Sequence, residues 1–208
     1  MEYNYAVKSM KSFLRDTLTT LLLAIVIYVG LRTTLKHSVV ISPSMEPTLM
    51  VGQHVLVSSL AYKFREPQRG DIVVFHPVSS QGGDFIKRII GLPGESVEIR
   101  GGIVYIHETN GQVSPLTEPY LKEAASRDFK GKTIPPTEYF VMGDNRNNSG
   151  DSRDGWTVPR QNITGKAWLD IGPRKWGLAP NYPLQRQIDG LTSQSFPNEG
   201  IILRREQG

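Results

Sequence analysis

Two serines stand two residues apart in the run Ser42-Pro43-Ser44-Met45-Glu46-Pro47-Thr48-Leu49. Pro43 and Pro47 fix φ at two points and restrict the residue before each, so the segment reads as a rigid, exposed loop. A hydroxyl nucleophile needs such fixed presentation, with a donor nearby for the oxyanion that develops. A polar loop with no chemistry would have the same composition. The second candidate is Lys87, in Phe85-Ile86-Lys87-Arg88-Ile89-Ile90. Alternate residues of a strand share a face, which places Lys87 with Phe85 and Ile89, and Arg88 with Ile86 and Ile90. A lysine among apolar groups loses hydration and its pKa falls, the condition for a lysine base. Moving it from ~10.4 to ~7 takes about 4 kcal/mol of differential desolvation. Since each face carries one cation, the pattern leaves open which face is buried. An edge strand with both charges in solvent fits equally.

The third candidate is the polar stretch from Gly143 to Arg153, GDNRNNSGDSR. Such residues hydrogen-bond their own backbone and tolerate tight turns. Alternating oxygen ligands also suit calcium, but the spaced acids and final glutamate of an EF-hand loop are missing. The four histidines, His37, His54, His76 and His107, share no helical or metal spacing. Counting alone does not exclude one of them as a base. Asp71 follows Arg69-Gly70 and reads as a turn residue.

These loops need a scaffold, and its strands are written in short apolar runs broken by turn signals. VLV at 55–57, IVVF at 72–75, FIKRII at 85–90 and YFVM at 139–142 read as strands, and residues 167–171 as a last one. VEIR and IVYI flank Gly101-Gly102, the form of a two-residue β-hairpin. Gly82-Gly83 reads as a further turn. Residues 107–137 carry four prolines and read as loops and short strands. The expected fold is mainly β, with many short strands and closely spaced turns.

Thr17 to Leu31 contains no charge, with Lys8, Lys11 and Arg15 before it and Arg32 and Lys36 after it. Fifteen helical residues span about 22 Å, short of the ~30 Å hydrocarbon core. Thr33, Thr34 and Leu35, with Arg32 snorkelling, would lengthen it into a transmembrane anchor, and the basic residues before it put the N-terminus in the cytoplasm. A cleaved signal would want an A-x-A-like site, yet no alanine lies between Gly30 and Ser44. A buried core helix is the third alternative. The 208 residues include no cysteine, which excludes thiolate metal sites, cysteine nucleophiles and disulfides. A net charge of +4 suits an anionic membrane surface and is no nucleic-acid signature.

Four runs occur together and in order: SPSMEPTL at 42–49, RGDIVVF at 69–75, FIKRIIGLPGE at 85–95 and GDNRNNSGDSR at 143–153. With the apolar segment ahead of them, the chain resembles the bacterial type I signal peptidases, membrane-bound serine proteases with a Ser–Lys dyad. The resemblance covers roughly residues 10–170. It implies that Ser44 is the nucleophile and Lys87 the general base. Ser42 would join the Ser44 N–H in the oxyanion hole. Ser149 would orient the lysine amine, Asp151 and Arg153 would stiffen the loop, and Gly143 would lie beside the dyad. Asn147 stands where the family often has Asp, which removes a possible ion pair. The implied layout is a cytoplasmic N-terminus and transmembrane anchor over 1–36, an antiparallel β catalytic core over 37–94 and 139–175, a small inserted β subdomain over 95–138, and a tail over 176–208. The implied substrates are secretory preproteins with small residues at −1 and −3. A lipid bilayer is the other expected partner, with no nucleic acid and no metal or organic cofactor. A monomer on the extracytoplasmic side of the plasma membrane is expected.

Overall fold

A computed structural model of the chain describes residues 2–77, 83–171, 176–179, 182 and 184, with side chains from residue 13 onward except at 31 and 176. Gly82, Pro180, Pro183, Pro197 and most of the tail lie outside the described residues. The chain opens with helix α1, Glu2–Thr34. Its stretch from Phe13 to Thr34 is 22 residues long and apolar enough to cross a membrane. At 1.5 Å per residue it spans about 33 Å. None of that stretch is buried, so it is not the core helix that was one alternative. The helix ends at Thr34, whose carbonyl accepts from Ser59 N–H at 3.0 Å and Ser59 Oγ at 3.2 Å. Leu35 therefore begins a strand and does not extend the helix.

That strand is β1, Leu35–Val39. It is followed by β2, His54–Ser58, β3, Ile72–Phe75, and β4, Phe85–Gly91. Next come β5, Ser96–Arg100, β6, Ile103–His107, β7, Val113–Pro115, and β8, Phe129–Lys130. The last four are β9, Glu138–Met142, β10, Val158–Pro159, β11, Ile163–Ile171, and β12, Trp176–Leu178. Among the described residues the main sheet has eight strands, ordered β1-β2-β11-β3-β4-β9-β10, with β12 paired to β11. A second sheet, β7-β6-β5-β8, is built wholly from residues 96–130. Among the described residues every strand pairing is antiparallel.

Strand β4 is central in the main sheet, between β3 and β9, and is buried from Lys87 to Gly91. Both of its faces are covered, so the choice between Lys87 and Arg88 does not arise: each finds a buried partner. The first residues after 175 are also not a detached tail. Trp176–Leu178 extends the main sheet, Ala179 is buried beside Val40 and Met45, and Leu184 is buried in one cluster with Ile90, Val97 and Ile106. The Arg69-Gly70-Asp71 turn is interior. Arg69 pairs bidentately with Glu95 at 2.9 and 2.6 Å, and Asp71 accepts from Lys166 at 2.6 Å and Tyr62 at 3.0 Å.

Candidate active site

The loop leaving β1 is held by a buried plug. Val40, Met45 and Leu49 all point into one apolar cluster with Val55, Ile72 and Ala167. Met45 is fully buried, and the residue before it, Ser44, is 4% exposed. Residues Pro43–Met45 form a single 3-10 turn, with Pro43 in its first turn and Ser42 as N-cap. A proline tolerates this position because its missing N–H has no helical partner to lose. Ser42 Oγ accepts from the Ser44 N–H at 3.4 Å.

β4 brings Lys87 to the same place. Its Nζ lies 2.7 Å from Ser44 Oγ and 3.1 Å from the Ile86 carbonyl oxygen. The amine is also 5.6 Å from the centre of the Phe85 ring. Burial pushes the Lys87 pKa down from 10.5 to about 8, against the opposing pull of the Asp151 and Asp144 carboxylates. The pair opens on a cavity of about 340 Å³, lined on one side by Val39–Ser44, on another by Gly83–Lys87, and closed by Asn148–Gly150.

The polar loop after β9 forms the third wall. Asn145 donates its N–H to the Ser44 carbonyl at 3.0 Å and its side-chain amide to the Pro43 carbonyl at 3.2 Å. Asn145 carries no signal of this role in the sequence, because asparagine in a turn-rich run has an ordinary local explanation. Gly143 packs so closely that a Cβ there would lie 2.4 Å from the Ser44 carbonyl oxygen and 2.3 Å from Ser149 Oγ. Its N–H donates to Asp151 Oδ2 at 3.0 Å. Asp151 in turn takes Arg153 Nε and Nη2, both at 2.8 Å. Burial alone would raise the Asp151 pKa, but the Arg153 guanidinium and the Gly143 N–H hold it below the ordinary carboxylate range. Arg88, on the opposite face from Lys87, binds Asp144 with Nε at 2.9 Å and Nη2 at 2.6 Å, with both side chains fully buried. The loop's acids are thus taken by arginines.

Ser149 lines the same cavity as Ser44 and Lys87. Its Oγ is buried and hydrogen-bonds no described residue, although it lies close enough to Asp151 to favour that carboxylate's ionised form. The Lys87 hydrogen bonds run instead to Ser44 and Ile86. The histidines are engaged elsewhere: His37 with His54, His76 with Asp84, and His107 with Glu98.

An apolar-walled cavity with a serine hydroxyl against a buried lysine, on an antiparallel β scaffold, fits a peptidase, and the comparisons give the same class. A family model described as signal peptidase, peptidase S26, matches residues 14–171. The chain belongs to the bacterial type I signal peptidases of this family, which remove signal peptides. It is 42% identical to signal peptidase I of Leptolyngbya laminosa over 168 residues, covering 77% of this chain and 80% of that one. It is 40% identical to the probable signal peptidase I-1 of a Synechocystis species, covering 84% and 91%. Against signal peptidase I of Pseudomonas aeruginosa it is 32% identical, covering 68% and 67%.

Proposed function

We propose that Ser44 and Lys87 form the catalytic dyad of a membrane-anchored endopeptidase that cuts signal peptides from exported preproteins. The 2.7 Å contact between Ser44 Oγ and a buried Lys87 amine carries this reading. The neutral amine takes the Ser44 proton as Oγ attacks the scissile carbonyl carbon. The tetrahedral intermediate collapses with cleavage of the C–N bond, and the lysine ammonium gives its proton to the leaving amine. Water then attacks the acyl-enzyme, with Lys87 again as base, and frees Ser44. Asp151, Arg153 and Gly143 hold the third wall in place, and Ser149, which lines the same cavity, orients the Lys87 amine.

In the resting enzyme Ser42 Oγ occupies the Ser44 N–H. A substrate oxygen arriving there replaces Ser42 as acceptor, and the released hydroxyl turns to donate. The oxyanion hole is then the Ser44 N–H plus the Ser42 hydroxyl. Ser42→Ala should keep the backbone donor and lose the other, lowering kcat on the order of 10²-fold, while Ser42→Thr recovers much of it. Steady-state kinetics of the two variants on one signal peptide test this. A Ser42→Ala enzyme at full rate would place the hydroxyl elsewhere.

The substrate lies in the cavity as an extended strand. Main-chain bonds give it affinity, and shallow apolar walls select small side chains at −1 and −3. Helix α1 crosses the bilayer with its basic N-terminal end in the cytoplasm, and the β domain lies outside as a monomer. The direct test is incubation of a preprotein with the wild type and with Ser44→Ala, followed by N-terminal sequencing of the product. Cleavage at the signal junction by the wild type alone is expected.

The pH dependence follows from Lys87. Its amine must be neutral to act as base, so kcat/KM should rise with pH through about 8, the value to which burial lowers it. The profile reports the free enzyme's base. A rise near 10 would mean an unperturbed lysine. A rise near 6.5 that one histidine variant removes would transfer the role to that histidine.

A further inference from the structure

The second sheet does more than fill space beside the catalytic wall. Its connecting segment reaches back to the 143–153 loop at several points. Arg146 Nη1 and Nη2 donate to Glu118 Oε2 at 2.9 Å and Oε1 at 2.5 Å, with side-chain exposures of 0% and 5%. Tyr120 OH donates to Glu118 Oε1 at 2.6 Å, and its ring lies 4.0 Å below the Arg88 guanidinium that binds Asp144. Asn147 uses both ends of its amide: Oδ1 accepts from Ser126 N–H at 2.9 Å, and Nδ2 donates to the Ala124 carbonyl at 3.2 Å. Inside the loop, Arg146 Nε reaches the Gly143 carbonyl at 3.2 Å, and Arg153 Nη1 reaches the Arg146 carbonyl at 2.7 Å.

The contacts form one chain from the subdomain to the nucleophile. Glu118 fixes Arg146, Arg146 fixes Gly143, and Gly143 stands against Ser44 and Ser149. The pairing also explains Asn147. An aspartate there could accept from Ser126 but would present a carboxylate to the Ala124 carbonyl, where a donor is required. The missing ion pair noted in the sequence is therefore replaced by a two-ended clamp onto the subdomain.

We propose that Glu118 and Asn147 are positioning residues, through which the 118–126 segment of the second sheet's subdomain holds the 143–153 loop against Ser44 and Lys87. This rests on the dyad reading above. Neither residue touches the cavity, and both act through the loop. A loop that shifts outward admits water to the Lys87 amine, weakens its desolvation and misaligns it with Ser44.

The experiment uses the full chain in detergent, with Glu118→Gln and Asn147→Asp, and with Glu98→Gln as control. Glu98 binds His107 within the same subdomain and has no recorded contact with the loop. Asn147 is exposed, so its variant keeps the test available should Glu118→Gln fold poorly. For each, kcat and KM on one signal peptide, the pH profile of kcat/KM and the urea midpoint are measured. Misplacement of a catalytic group by about an ångström from a distant change costs on the order of 10²-fold, and a smaller shift on the order of 10-fold. Both loop variants should lose about that much kcat. KM should change little, and the alkaline rise should move upward from about 8. Glu98→Gln should match the wild type.

A merely structural role would lower the urea midpoint and the active fraction while leaving the pH profile of the folded enzyme unmoved. That result overturns the inference, as does wild-type kcat in both variants. Ser44→Ala run in parallel separates the two levels. If it is dead while the loop variants are normal, only the positioning role falls. If it cleaves like the wild type, the dyad falls and the inference with it.

Discussion

Ser44→Ala and Lys87→Met should each abolish preprotein cleavage in material that remains folded. On the proposed mechanism, without Ser44 there is no oxygen to form the acyl-enzyme, and without Lys87 the hydroxyl at its ordinary acidity is a poor nucleophile. Losses on the order of 10⁶-fold are known for such units, and the double variant should be little worse than either single one. Lys87→Arg should be as inactive, since a guanidinium cannot give up its proton. The lysine variant has a second, opposite effect. A pKa near 8 in the folded state against 10.5 means that burying the charged amine costs about 3 kcal/mol at pH 7. Between about pH 8 and 10.5 the unfolded chain binds more protons than the folded one, so wild-type stability climbs across that window. Methionine fills the same space with no charge to desolvate. Lys87→Met should therefore be more stable than the wild type at pH 7, with the advantage shrinking as the pH rises toward 10.5. Denaturant midpoints of both proteins at pH 7 and pH 10 check this. Equal stability at both pH values would show that the amine is hydrated in the folded state.

Gly143→Ala should be the most damaging change outside the dyad. The added methyl carbon would sit 2.4 Å from the Ser44 carbonyl oxygen and 2.3 Å from Ser149 Oγ, distances that no Cβ occupies. The Ser44 carbonyl cannot yield without pulling on the hydrogen bond from Asn145 N–H and on the turn that aims the hydroxyl. Overpacking of this kind costs typically 1–3 kcal/mol of stability. Its effect on rate should be larger, on the order of 10²-fold or more, because the proposed nucleophile itself is displaced. Measurement of kcat beside the unfolding midpoint distinguishes the two. A Gly143→Ala enzyme with normal turnover would mean that the loop stands off from Ser44 in solution. Gly150→Ala is the natural comparison: there a Cβ meets nothing closer than Asp154 Oδ2 at 3.6 Å, and the change should be mild.

The apolar runs announced β3, β9 and the hairpin of β5 and β6 because each places Val, Ile or Phe between turn residues. β1 and β12 were not legible. Leu35–Val39 is largely exposed and polar, and it follows an apolar helix with no turn signal between them. Trp176–Leu178 is three residues long and depends on its register against β11. The nature of β4 was legible but its setting was not. Alternation shows that Lys87 and Arg88 face opposite ways, yet burial of both follows from distant partners, Ser44 at 43 residues before Lys87 and Asp144 at 56 residues beyond Arg88. The same limit hid Glu118, whose partner Arg146 is 28 residues away. A surface carboxylate is the ordinary reading of a glutamate until the fold brings a guanidinium to it. Ser42, Ser44 and Lys87 were singled out from composition and spacing. Asn145 carried no signal beyond its place in a turn-rich run.

The junction at Thr34 has a consequence for how such an enzyme meets its substrates. Strand β1 starts at the next residue, and Ser59 clasps the last helical carbonyl, so no linker separates α1 from the sheet. Ser44 is ten residues beyond Thr34. Even a fully extended chain of that length reaches at most about 35 Å. With α1 set in a bilayer, the hydroxyl is confined to a thin layer above the lipid, like a blade mounted on a short post. Selection by height then accompanies selection by side chain. On the proposed specificity and anchoring, a small-residue site far out in a mature domain would escape because the blade never sweeps that high. One held near the lipid by its own apolar leader would meet the enzyme in two dimensions instead of three, at a correspondingly raised effective concentration.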